Sequence, residues 1–307
     1  MRFLRIFLFL TLFAVPATAV SALSADDLPG GAKWYFHADF KEMRSSDAGG
    51  QLYAWLQDEV FEEIAEETGV NLDKEADFLT AFSSDEGGMV IVIEGRISQD
   101  TEDKVTAMAA TSGQLDRFGS GSKAFYYIKD TDDNFDNGNI EIDVDSFDDG
   151  AYFSFAASNK LIITSTRETM ESLLDAKGKI AGARAARGQL FVLTAERNLM
   201  QAGARTTEFD NDNDWDSNIL RNTEQAAMLI AEKAGKIAME VQLITTEAEM
   251  AESLASIVRG LISLQAFDDD MDPDLASFVQ NTKVDVRDTK LTISVALDPE
   301  AVVAAID

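Results

Sequence analysis

Polar and apolar residues alternate with a period of two from Lys33 to Asp39, with Trp34, Phe36 and Ala38 on one side and Lys33, Tyr35 and His37 on the other. That period predicts a strand. Leu52, Leu56, Val60 and Ile64 then recur at helical spacing, with Tyr53 and Phe61 beside them and Asp58, Glu59, Glu62, Glu63, Glu66 and Glu67 opposite. An amphipathic helix ending at Gly69 is expected. The spacing of Leu72 to Phe82 predicts a further helical segment, and Gly87-Gly88 opens an apolar run, Met89 to Ile93, of the kind that forms a buried strand. A helix carrying Val105, Met108 and Ala109 should start near Ser98 or Thr101. Strands are expected at Lys123 to Ile128, Ile140 to Val144, Ala151 to Ala156 and Leu161 to Thr164, followed by a helix from Arg167 to Leu174.

Residues 177–188 (KGKIAGARAARG) break this pattern with small and basic residues and no acid, and read as a linker or a short helix. Beyond it, Leu190 to Ala195 predicts a strand, and a short helix should contain Leu199 and Met200. Ala226 to Ala231 and Ile237 to Ile244 predict a hairpin about Lys233-Ala234-Gly235. Met250, Leu254, Ile257, Val258, Leu261 and Ile262 form the clearest helical stripe in the chain. Strands follow at Lys283 to Val286 and Leu291 to Val295, and Asp298-Pro299 has the N-cap and first-turn chemistry that opens a helix.

Two stretches echo each other. Met89 to Ala109 and Ile237 to Ala255 each run from an apolar strand through a Ser/Thr-containing turn into an amphipathic helix. The expected fold class is therefore α+β in two related halves, each mainly antiparallel strands packed with amphipathic helices: residues 23–176 and 189–307, joined by 177–188. Generic β-α units produce the same echo without common descent. The chain also resembles uncharacterised exported bacterial proteins made of two related α/β halves. The likeness is carried by the strand ending in Ala38-Asp39, the small-residue break Asp47-Ala48-Gly49-Gly50 before the Leu52 helix, and Gly69-Val70-Asn71-Leu72-Asp73. It implies a fold and brings no activity or catalytic residues.

Residues 1–22 read as a secretory signal peptide: Arg2 and Arg5, an uncharged run from Ile6 to Val15, and small residues at Ala17-Thr18-Ala19 or Val20-Ser21-Ala22. Periplasmic or secreted location is the expectation, with no transmembrane segment in the mature chain. The full chain of 307 residues carries 55 Asp+Glu against 26 Lys+Arg, a formal charge of −29. Cleavage after Ala22 removes both arginines, leaving 24 − 55 = −31. Such a charge excludes the phosphate neutralisation on which nucleic-acid affinity depends. With no Cys and one His, thiolate nucleophiles, disulfides and multi-histidine metal sites are excluded as well.

What chemistry remains is carboxylate chemistry. Residues 130–141 (DTDDNFDNGNIE) set oxygen ligands at alternate positions, the spacing with which a loop surrounds Ca²⁺, and Asp130, Asp132, Asn134, Asp136 and Glu141 are the candidate ligands. Counting from Asp130 puts Phe135 where Gly should make the sharp turn; counting from Asp132 puts Asp143 where Glu should close the loop. The other reading is a solvated acidic hairpin tip. Residues 210–216 (DNDNDWD) and 268–274 (DDDMDPD) are similar, with Trp215 an anchor or a partner contact. Ser120 and Lys123 match S-x-x-K without the helix context or partner motifs that chemistry needs. His37 is a general base or a structural residue, and Trp34, Tyr35, Tyr53 and Trp55 line a groove or pack the core. The expected function is an exported, acidic, non-catalytic binding or envelope-associated protein, Ca²⁺ ordering its Asp/Asn loops, with an unknown protein or small-molecule ligand as partner. The alternative is a carboxylate-dependent hydrolase.

Overall fold

Twelve strands join in one antiparallel sheet, the outcome of the period-two segments finding one another across most of the chain. The computed structural model describes residues 29, 32–83, 88–111, 115–129, 150–180, 188–196, 223–265 and 278–306. The strands are β1 (Trp34–Asp39), β2 (Ala76–Ser83), β3 (Met89–Gly95), β4 (Leu115–Phe118), β5 (Phe125–Ile128), β6 (Ala151–Ser154), β7 (Lys160–Thr164), β8 (Gln189–Glu196), β9 (Thr223–Lys233), β10 (Lys236–Thr245), β11 (Lys283–Arg287) and β12 (Lys290–Leu297). Their spatial order is β11-β12-β10-β9-β8-β1-β2-β3-β7-β6-β5-β4. From the central β1/β8 contact, β2 and β3 lie on one side and β9 and β10 on the other. Every pairing is antiparallel.

Among the described residues the helices that accompany the sheet include α1 (Phe40–Ser45), α2 (Asp47–Leu56), α3 (Glu62–Thr68), α4 (Leu72–Glu75), α5 (Gln99–Thr111), α6 (Arg167–Asp175), α7 (Ala248–Gln265) and α8 (Pro299–Ile306). Alternation along each strand sorts the core between two faces. Ala38, Ile237, Val295 and Leu297 face a helix layer built on Phe40, Met43, Leu52, Tyr53, Phe61 and Val302. On the same face α5 covers Leu161 and Phe153, and α7 sets Leu254 and Ala255 on Leu291. The opposite face, here the back face, carries Tyr35, Phe82, Val90, Val92, Ile162 and Val192 under Met170 and Leu174 of α6. Met43, Ile162, Met170, Leu190, Leu229, Ile237 and Leu291 are among the fully buried side chains, each worth about 1.5–3 kcal/mol of transfer free energy.

Three expectations need correction. Residues 72–82 are not one helix: α4 ends at Glu75, and Ala76–Ser83 is β2, hydrogen-bonded between β1 and β3. Their apolar residues fit both periods, and the two flanking strands decide for β. The helix expected through Leu52 to Ile64 is interrupted by a π-helical turn, Gln57–Phe61, which turns Phe61 into the core against Phe40 and Tyr53 and leaves Val60 half-buried. Asp47 to Gly50 is not a break but the first turn of α2. A Cβ on Gly49 would lie 2.4 Å from Ser46 Oγ and 2.9 Å from Met43 Cα, so only glycine lets α1 and α2 approach this closely.

Other boundaries agree with the pattern. Gly69 caps α3 in the left-handed region at φ 68°, with its N–H donating to Ala65 O. The β9–β10 turn has Ala234 and Gly235 at φ 53° and 75°, the hand that matches strand twist. β4 was not expected from the pattern, being a four-residue edge strand with two charged positions. The strand expected at Ile140 to Val144, the helix at Leu199 and Met200 and most of the 177–188 linker lie outside the described residues.

One contact ties the sheet to the helix layer over a long sequence distance. The backbone N–H groups of Ala48 and Gly49 each donate to Glu232 Oε2 at 3.2 Å, and Gly49 N also reaches Ser46 Oγ at 3.1 Å. A carboxylate at a helix N-terminus satisfies orphan donors and complements the helix dipole. Glu232→Ala should lower stability by about 1 kcal/mol, read as a lower urea midpoint with an unchanged slope. Gly49→Ala should lower it by more, because backbone at Met43 must move.

Candidate functional site

The most site-like side chain is the one histidine. The β1 register sends Tyr35 and His37 to the back face, opposite Phe82 and Thr80 on β2 and Thr194 and Val192 on β8. His37 is 8% exposed, and its Nδ1 shares a 2.9 Å hydrogen bond with Thr80 Oγ1. Its ring stacks with Tyr35 at 6.3 Å and Phe78 at 6.1 Å between centroids. Nε2 has no hydrogen-bond partner among the described residues. Burial pushes the imidazole pKa down to about 4, so the ring is neutral at physiological pH.

A second polar pair lies on the same face. Gln242 Nε2 donates to Glu240 Oε1, and both side chains are buried. The register places Val192 beside Leu229 and Leu229 beside Glu240, so three strand spacings separate His37 from Glu240. At about 4.8 Å per spacing that is roughly 14 Å, too far for a shared proton transfer. This pair was not among the sequence candidates. Its signal was there: Glu and Gln at alternate positions of Ile237 to Ile244, an otherwise apolar strand.

The remaining buried or half-buried charges form compact knots. Arg44 Nη1 donates to Tyr53 Oη, Asp73 O and Ala76 O at 2.9, 3.1 and 3.0 Å, and Nη2 to Asp77 Oδ1 at 2.6 Å. Tyr53 Oη donates to Asp73 Oδ1 at 2.6 Å, and its pKa is pushed up to about 12 by burial first and by that bond second. Asp39 caps α1 by accepting from Glu42 N at 2.7 Å; burial outweighs that bond and raises its pKa. Lys160 pairs with Glu94 and donates to Gly178 O at 2.9 Å, its pKa lowered by burial first and by Lys179 second. Just before α5, Ser98 Oγ accepts from Thr101 N at 3.2 Å while Glu75 holds the Ser98 hydroxyl at 2.6 Å.

The sequence candidates do not converge on one site. Ser120 precedes an exposed 3₁₀ turn, Gly121–Lys123, whose last residue Lys123 pairs with Asp175 of α6 at 2.6 Å. Tyr35 and Tyr53 are buried, and Trp34 and Trp55 half-buried on the helix face. Asp130, Asp132, Asn134, Asp136, Glu141, the loops 210–216 with Trp215, and 268–274 all lie outside the described residues. Among the described residues no group of three or more His, Cys, Asp or Glu could hold a metal ion, and no helix is long and apolar enough to cross a membrane.

No family model matches the chain, and no curated protein matches it in sequence. Its fold is similar to that of TP0453, a Treponema pallidum protein. Crystal form III of TP0453 aligns with a TM-score of 0.50 at 8% identity, covering 93% of this chain and 98% of that one. Form IV aligns with a TM-score of 0.47 at 7% identity, covering 90% and 93%. At such identity the likeness concerns the fold alone.

The neutral imidazole gives a pH dependence with a defined sign. Unfolding returns His37 to an ordinary pKa near 6.5, so the unfolded chain binds the extra proton first as pH falls. The contribution is present above 6.5 and is lost progressively down to about 4. Over that window the loss should amount to about 3 kcal/mol. Urea titrations of wild type and His37→Gln at both ends of the window isolate it from the carboxylates. The variant should lack this component, and equal pH slopes in the two proteins would contradict the assignment.

Proposed function

We propose that the chain is an exported, acidic, non-catalytic binding or envelope-associated protein, built from a duplicated α+β unit, with Ca²⁺ ordering its Asp/Asn-rich loops. The setting of His37 carries the non-catalytic part. The best proton-transfer group in the sequence is neutral, buried on a strand between two aromatic rings, and bonded to a buried threonine rather than to a carboxylate. General bases work at the surface of a cleft with a pKa near the operating pH, and this one has neither property.

The sheet order supports the duplication. Outward from the centre, β1-β2-β3-β7 on one side is answered by β8-β9-β10-β12 on the other, and α5 after β3 is answered by α7 after β10 on the same face. The last helices differ: α6 lies on the back face and α8 on the helix face. Export rests on residues 1–22, and the calcium reading on the alternating oxygen ligands of 130–141.

Calorimetry of the mature chain with Ca²⁺ should give saturable heat that Asp132→Ala and Asp136→Ala abolish; a flat titration of the wild type would remove the cation from the proposal. Fractionation of the producing cell should place the chain outside the cytoplasm with Leu23 or Val20 as its new N-terminus. A cytoplasmic product retaining Met1 would overturn export.

A further inference from the structure

At one end of the sheet β11 is the outer strand. It returns from β12 through the two-residue turn Asp288-Thr289, with Arg287 opposite Lys290. In a hairpin of that length the closing pair exchanges both backbone hydrogen bonds, and bonded and non-bonded pairs then alternate. Lys283 and Asp285 therefore bond to β12, while Val284 and Val286 direct N–H and C=O away from it. The same alternation makes Thr289 O available to Thr245 N of the other flank, at 2.9 Å. Arg259 of α7 reaches the outer edge, where its Nη2 donates to Val284 O at 3.1 Å.

The edge is charge-complementary to itself. A two-fold axis through Val284 would pair it with its counterpart in a second copy and set Lys283 against Asp285 in both directions on the back face. An axis through Asp285 would place Asp285 against itself and Lys283 against Arg287, all like charges. An axis through Val286 would run the second copy onto the turn residue Asp288. One register is thus favoured. On the helix face, however, that register brings the two Arg259 side chains together over the axis, next to the carbonyls they occupy.

We propose that the β11 edge is a self-pairing surface for a second copy of this chain, held shut by Arg259. The guanidinium acts twice, by covering an edge carbonyl and by setting like charge against like charge at the axis. Open strand edges are templates for pairing, and a charged side chain over the edge is one way to close them.

Sedimentation velocity of the mature chain at physiological salt tests it, since screening there leaves local charges to decide over the net acidity. Wild type should be a monomer. Arg259→Ala should double the sedimenting mass, and Arg259→Gln, which keeps the side-chain length, should do the same. Adding Asp285→Lys to either should return the monomer, because Lys283 then meets lysine. The proposal is overturned if both Arg259 variants stay monomeric, if wild type is already dimeric, or if association survives Asp285→Lys.

Discussion

The six residues of β1 are the constraint on which the rest of the molecule depends. It pairs on one side with β2 and on the other with β8, so all of the strands on either side of the sheet meet through it. Its backbone bonds are therefore flanked on both edges, and its alternation decides which residues belong to which core: Phe36 and Ala38 with the helix layer, Tyr35 and His37 with the back face. Asp39 ends the strand and caps α1 in the same step. A one-residue slip here would exchange the faces of the strand and place the imidazole among the helices.

Legibility in the sequence followed the strength of the period. β1, β3, the β9–β10 hairpin, α7 and the opening of α8 at Asp298-Pro299 were readable because each has an unbroken period or a turn that admits few residues. β2 was misread because Ala76, Leu79 and Phe82 satisfy a helix while Ala76, Phe78 and Thr80 satisfy a strand; only partners far away in sequence distinguish the two. The π turn at Gln57–Phe61 has no local signature, since it exists to bring Phe61 to Phe40 and Tyr53. The central register was not readable at all, because nothing near Trp34 names Ala195 as its neighbour.

The candidate site was less legible than the fold. His37 was recognised as the one imidazole, and its alternation put it beside Tyr35, but its neutrality comes from burial supplied by β2 and β8. Glu232, remote in sequence from α2, gave no sign of capping it. The fold is similar to that of TP0453 at 8% identity, a likeness of fold and not of individual side chains.

The position of β1 also bears on the order of events in folding. Its partner β2 arrives early, since Tyr35 faces Phe82, whereas Tyr35 must wait for Thr194 to gain its neighbour on the other edge. Contacts of such sequence separation form late and slow the overall rate. Until β8 is available, the first half exposes a nearly apolar strand edge at what will become the middle of the molecule. The seam of the finished sheet is thus the point of greatest vulnerability in the unfinished chain, and a holding factor acting on the nascent protein would protect most by covering Trp34 to Ala38.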